Sequence, residues 1–136
     1  MEICEGSDLS DRRRLLMQNA DIILTLPGGP GTFDELWEAS VCKLLSLNGL
    51  QYKPLCVLNV DNYFDGTILQ LQRAHEDNLL YASPESYFHV ETDVNAAFQW
   101  CLEEYERLKL LKQSDSQPNT DSWQNAEGGK APIKFH

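Results

Sequence analysis

The chain is short of positive charge. Against 21 aspartates and glutamates it sets 11 lysines and arginines, a formal net charge of −10 over 136 residues. A surface of that sign repels phosphate backbones and anionic lipid, so neither nucleic acid nor a membrane is an expected partner. Its one basic concentration, Arg12-Arg13-Arg14, is too short for a nucleic-acid footprint. No apolar stretch approaches membrane-spanning length, and no signal-peptide pattern precedes the first polar residues. The three histidines, His75, His89 and His136, lack metal-ligand spacing, so no metal site is expected. The four cysteines, Cys4, Cys42, Cys56 and Cys101, form no C-x-x-C pair. Cys56 sits in an apolar run, where cysteine behaves as a small hydrophobe. A reduced setting, the cytoplasm, is the expected location. There is no internal repeat either, which excludes a solenoid.

What is present suits one globular domain: 136 residues with 42% apolar content. The pattern predicts a helix over 11–19, with Ser10 or Asp8 as its N-cap. A continuous apolar run over 21–26 reads as a strand covered on both faces. A helix over 32–47 carries an apolar stripe of Phe33, Leu36, Trp37, Val41, Leu44 and Leu45, and Asn48-Gly49 closes it. A second strand is expected over 54–60, a helix over 65–77 with Ile68, Leu69, Leu71 and Ala74 on its apolar side, and a third strand over 87–91. Asp93 caps a last helix running to about Lys112, with Val94, Ala97, Phe98, Cys101, Leu102, Tyr105 and Leu108 on its inner side.

Strands and helices in alternation mean an α/β fold: a doubly wound parallel sheet between two helical layers. Three strands are about half of a usual nucleotide-binding sheet. The expectation is that the N-terminal strands are lacking, so that 1–112 is the C-terminal part of a longer fold, or that partner strands come from elsewhere. The apolar surface left over predicts a homodimer, with the 32–47 helix and its Trp37 as the contact. Residues 113–136, polar and rich in Gly, Pro, Ser and Asn, read as a disordered tail in which Trp123 is incidental.

The densest feature is Pro27-Gly28-Gly29-Pro30-Gly31, three glycines and two prolines in five positions between a strand and a helix. Such a turn can be an anion cradle, because backbone amides and the helix dipole favour negative charge and glycine admits close approach. It can equally be tight-turn chemistry. It matches neither the Walker pattern nor G-x-G-x-x-G. Glu35 is likewise open. Thr32-Phe33-Asp34-Glu35 has the spacing of a capping box, while a carboxylate beside an anion loop could act on a neutral part of the same ligand. Asp34 and Glu35 would compete with a phosphate placed too near them. Arg12 shares a helix face with Leu9, Leu15 and Leu16, and Arg13 and Arg14 point elsewhere, toward solvent. An arginine on an apolar stripe is costly unless it is paired, with Asp8, Asp21 or Glu35, or holds an anion; three adjacent arginines on an exposed helix are the plainest alternative.

"PGGPGTFDE" (Pro27 to Glu35) resembles PGGxGTxxE, the signature of the LONELY GUY (LOG) family of cytokinin-activating phosphoribohydrolases, whose members are often labelled lysine decarboxylases. "SDRRRLL" resembles that family's R-K-x-x-M helix, with Arg12 at the arginine, Arg13 at the lysine and Leu16 at the methionine. The 23 residues from Arg12 to Glu35 fit its spacing, and "LNVDNYFD" resembles the turn after its next strand. The resemblance runs from about Ser7 to Tyr105. It implies a Rossmann-like domain, generally dimeric, that hydrolyses the N-glycosidic bond of nucleoside 5′-monophosphates to free base and ribose 5-phosphate, with cytokinin nucleotides or AMP as substrates. By motif position it implies Arg12 and Glu35 as the catalytic pair, and Arg13, Pro27, Gly28, Gly29, Gly31 and Thr32 as substrate- and phosphate-binding residues. No metal or redox cofactor is implied. A pyridoxal enzyme would need a Schiff-base lysine, and the nearest lysines, Lys43 and Lys53, lack a companion motif. The other readings are a nucleotide-binding protein without catalysis and an inactive dimerisation partner.

Overall fold

A computed structural model describes residues 9–117. Seven regular elements follow one another: α1 (Leu9–Asn19), β1 (Ile23–Thr25), α2 (Pro30–Leu44), β2 (Leu55–Leu58), α3 (Asp65–Glu76), β3 (His89–Glu91) and α4 (Val94–Asp115). The strands form one parallel sheet in the order β1-β2-β3. Leu24 lies opposite Cys56, and Val57 opposite Val90.

Alternation along β2 explains the layers. Leu55 and Val57 point into a core shared with Met17 of α1, Leu36 and Ala39 of α2, and Leu71 of α3. Cys56 and Leu58 point the opposite way, onto Ala97 and Cys101 of α4. Successive strand residues face opposite sides of a sheet, so a run apolar at every position must have helices on both faces. The expected three-layer α/β architecture is the one observed.

Differences from the sequence expectation are local and have physical causes. β1 is shorter than expected and only half-buried at Ile23 and Leu24. Among the described residues it is an edge strand, paired on one side alone. The Ile23 N–H donates to Pro54 O at 2.9 Å, and in a parallel ladder alternate residues turn to the partner. Leu24 therefore directs its N–H to the open edge.

α2 begins at Pro30, not Thr32, and ends at Leu44, before a loop in which Ser46, Asn48 and Gly49 all take positive φ. Its buried side chains are Leu36, Ala39 and Ser40, whereas Phe33 faces outward and Leu45 lies past the helix, 54% exposed. Ser40 is accommodated because its hydroxyl donates to Leu36 O at 2.7 Å. On α3, Leu69 also faces outward.

α4 is capped as expected, Asp93 accepting from the Ala96 N–H at 2.9 Å. It runs on through Gln113, Ser114 and Asp115, which the sequence assigned to the tail, and Tyr52 holds its end by donating to Asp115 Oδ2 at 2.8 Å. Val94, Phe98 and Leu102, expected inside, form an exposed stripe (51%, 55% and 60%) next to the buried Ala97-Cys101-Leu108 face. Cys4, Asp8 and the rest of the expected tail, 118–136 with Trp123, lie outside the described residues.

Candidate active site

The site lies where β1 ends. Thr25 is buried, Pro27-Gly28-Gly29 leads out of the strand, and Pro30 opens α2. Proline suits a first helical position, since its missing N–H would have no intrahelical partner and its φ is already helical. Gly29, in extended conformation (φ −97°, ψ −159°), is the N-cap, and no side chain caps the helix. The Phe33 N–H closes the first turn onto Gly29 O at 3.2 Å. The first-turn amides of Gly31 and Thr32 thus have neither an intrahelical acceptor nor a side-chain cap.

This geometry corrects the capping-box reading. Thr32 is the third helical residue and Glu35 the sixth, whereas a capping box needs the threonine at the N-cap. Pro30 starts the helix two residues early and takes the box out of register. The Glu35 carboxylate, free of that duty, is exposed and lines a cleft of about 390 Å³ along the open edge of β1. Thr32, Pro27 and Leu24 share its wall with Leu16 and Met17 of α1.

The glycines are not present for backbone strain, because none in the loop has positive φ. Gly28 is needed for packing: a Cβ there would run into the Thr32 hydroxyl and lie 3.0 Å from the Thr32 Cβ. At Gly29 and Gly31 a Cβ would meet nothing within 4 Å. Gly31 sits inside a helix, where glycine is about 1 kcal/mol worse than alanine. Neither position needs glycine for the chain's own packing, and both leave the backbone open to an outside group.

Of the expected site residues, the fold brings Pro27, Thr32 and Glu35 into the cleft wall, while Gly28, Gly29 and Gly31 stand beside it in the loop and first turn. Of the arginines, Arg13 is placed differently from the expectation. Arg13, expected in solvent, is half-buried and donates through Nε to Glu38 Oε2 at 2.7 Å. Glu38 is one turn along α2 from Glu35, so this pair ties α1 against α2 beside the cleft. Arg12 is exposed and makes no ion pair among the described residues. It is not part of the cleft wall, although Leu16, one turn below it on the same face of α1, is. Among the described residues Leu9 and Leu16 are 68% and 61% exposed and Leu15 is half-buried, so most of the Arg12 side of α1 is open.

A second loop reaches the site, and spacing alone did not single it out. After β2, Asn59 is buried and organises residues 59–65: its Nδ2 donates to Asp65 Oδ1 at 2.8 Å and its Oδ1 accepts from the Phe64 N–H at 2.7 Å. Tyr63 in this loop donates its hydroxyl to Gly28 O. Both loops lie at the carboxyl ends of parallel strands, the side on which open α/β sheets bind ligands.

The two lysines near the motif are used elsewhere. Lys43 Nζ donates to Lys53 O at 2.7 Å and to Gln51 O at 3.3 Å. Lys53 Nζ caps the end of α1 through Met17 O at 2.7 Å and Gln18 O at 2.6 Å. Burial pushes both amines below the usual lysine range, though neither is in the cleft wall.

Comparison with known proteins adds the following. The sequence model of a family described as "Possible lysine decarboxylase" matches residues 1–101. "Probable cytokinin riboside 5'-monophosphate phosphoribohydrolase LOG6" of Arabidopsis thaliana is 35% identical over 79 residues, 58% of this chain and 38% of that protein. The rice protein "Probable cytokinin riboside 5'-monophosphate phosphoribohydrolase LOGL3" is 32% identical over 82 residues, 60% of this chain and 37% of its own length. "Cytokinin riboside 5'-monophosphate phosphoribohydrolase LOG5" of Arabidopsis thaliana is 30% identical over 87 residues, 64% and 37% respectively. The matched part of this chain therefore spans less than two fifths of each of these relatives.

Proposed function

The chain belongs to the family described as "Possible lysine decarboxylase", the LOG family, and from that premise we propose that it hydrolyses the N-glycosidic bond of nucleoside 5′-monophosphates, cytokinin riboside 5′-monophosphate or AMP, to free base and ribose 5-phosphate. One observation carries the reading: Glu35, released from any cap, shares a cleft wall with Thr32 beside an uncapped helix N-terminus. The substrate phosphate binds the amides of Gly31 and Thr32 and the open backbone at Gly29, where dipole and donors favour an anion. Glu35, a turn further in, faces the ribose. Cleavage passes through an oxocarbenium-like state, which a carboxylate stabilises while it takes a proton from the attacking water. The water oxygen bonds to the anomeric carbon, the glycosidic electrons leave with the base, and the proton taken by Glu35 passes through solvent to the base nitrogen, which restores the carboxylate. Arg12 acts from the open side of α1, on the phosphate or on the Glu35 charge, and Arg13 holds α1 in place through Glu38.

Decarboxylation through a lysine Schiff base is disfavoured by the residues present. Lys43 and Lys53 both spend their donors on backbone carbonyls outside the cleft wall. Self-association belongs to the same proposal. Trp37 packs edge-on against Tyr87 and Phe88 of its own chain, so the exposed α4 stripe is better supported as the homodimer contact than α2. Among the described residues no helix is long and apolar enough to cross a membrane. The free thiols of Cys42, Cys56 and Cys101 agree with a cytoplasmic setting.

The test is release of base and ribose 5-phosphate in equal amounts from AMP and from an isoprenoid adenosine monophosphate, with the matching nucleosides inert for want of the phosphate. Cleavage of nucleoside and nucleotide at the same rate would remove the phosphate anchor from the account.

A further inference from the structure

Tyr63 is 47% exposed, too open to be a core residue, yet its surroundings fix it closely. Phe64 beside it is 1% exposed and anchors the loop in the main core. The Tyr63 ring stands edge-on to the Phe64 ring, with centroids 5.0 Å apart and planes at 86°. Asp61 and Asn62 precede it with φ of +49° and +61°, a left-handed conformation that Asp and Asn tolerate better than most residues. Asn59 closes this loop with its two hydrogen bonds, and the product of these local choices is a hydroxyl delivered to Gly28 O, 35 residues away in sequence.

That carbonyl matters because of the peptide it belongs to. In a planar trans peptide the C=O of Gly28 and the N–H of Gly29 point in opposite directions. Holding Gly28 O therefore sets the direction of the Gly29 N–H, at the position where a side chain would meet nothing of the protein. A donor on the carbonyl also polarises the peptide and makes the N–H on its far side a better donor. We propose that Tyr63 is a positioning residue: its hydroxyl orients the Gly28–Gly29 peptide so that the Gly29 amide joins those of Gly31 and Thr32 in holding the phosphate of the substrate. This rests on the phosphate-binding role proposed above, and the experiment separates the two.

The variant is Tyr63→Phe, which keeps the ring, its contact with Phe64 and the loop. Inorganic phosphate and ribose 5-phosphate are titrated into ¹⁵N-labelled wild type and variant while the Gly29 and Gly31 amide resonances are followed. Both anions should bind the variant about 3- to 10-fold more weakly, the range for losing one hydrogen bond, with the melting temperature of the free protein unchanged. In turnover, KM for the nucleotide should rise by a similar factor with kcat held. Equal affinities in the two proteins would overturn the proposal. So would a loss of affinity matched by a fall in melting temperature and by shifts throughout β2 and α4, which would make Tyr63 a fold staple. If neither anion perturbs wild type, the phosphate role fails instead. Tyr63 is then decided by the free proteins: a shifted, faster-exchanging Gly29 amide in Tyr63→Phe supports positioning, and an unchanged one refutes it.

Discussion

β1 and β2 look alike in sequence, each a continuous apolar run, and differ sharply in the fold. All four residues of β2 are buried, between 0% and 4% exposed, whereas in β1 only Thr25 is buried. The difference lies in neighbours, not in residue type. Among the described residues β2 has a strand on each side and helices on both faces, while β1 has a strand on one side and the cleft on the other. The same contrast divides stability from function. The buried strand joins both cores and binds the layers together. The open strand supplies the edge along which Glu35 and the glycine loop stand.

Matched truncations should break that contrast most visibly. Leu55→Ala in β2 empties a core site and should destabilise by about 2–5 kcal/mol in urea unfolding. Leu24→Ala in β1 removes a half-buried side chain and should lose only about 1 kcal/mol. Equal losses would mean that β1 is as much a core strand as β2.

A smaller effect comes from the adjacent glycines. Gly28→Ala forces a Cβ against Thr32 and should lower stability by about 1–3 kcal/mol, the usual overpacking range. Gly29→Ala has open space and should leave the unliganded melting temperature nearly unchanged, yet abolish the rise caused by phosphate. An undiminished phosphate shift in Gly29→Ala would move the anion elsewhere. Smallest of all is a difference in exchange rate. The Leu24 amide, aimed at the open edge, should exchange about tenfold or more faster than that of Val57. Comparable protection would mean that something covers the edge of β1 in solution.

In the run Pro54 to Val60 the middle, Leu55–Leu58, was legible as a buried strand because nothing but burial on both faces explains its composition, whereas Val60 at its end has left the strand and is exposed. The run over 21–26 misled for the complementary reason: a strand awaiting a neighbour has the same composition as one that has found it. In α4 the cap at Asp93 was readable, being local, but the inward face was not. Val94, Phe98 and Leu102 have the spacing of a core stripe, and periodicity cannot say which of two adjacent apolar faces is covered. The same limit applies to α1, where spacing left the Arg12 face open between a buried pair, an anion site and an exposed surface, and Arg13 is the arginine that packs. At the site, Thr32 and Glu35 had capping-box spacing, and Pro30 decided the register by opening the helix earlier. Tyr63 could not be found from spacing at all, since its partner is fixed only when the two loops meet.

The central claim is that Glu35 serves chemistry and not the helix, and Glu35→Gln tests it most directly. Glutamine keeps the shape and helix propensity of the side chain and removes only its charge. Base release from AMP or an isoprenoid adenosine monophosphate should fall by about 100-fold or more, the scale for losing one preorganised electrostatic group, while the melting temperature stays where it was. Full turnover in Glu35→Gln would contradict the account.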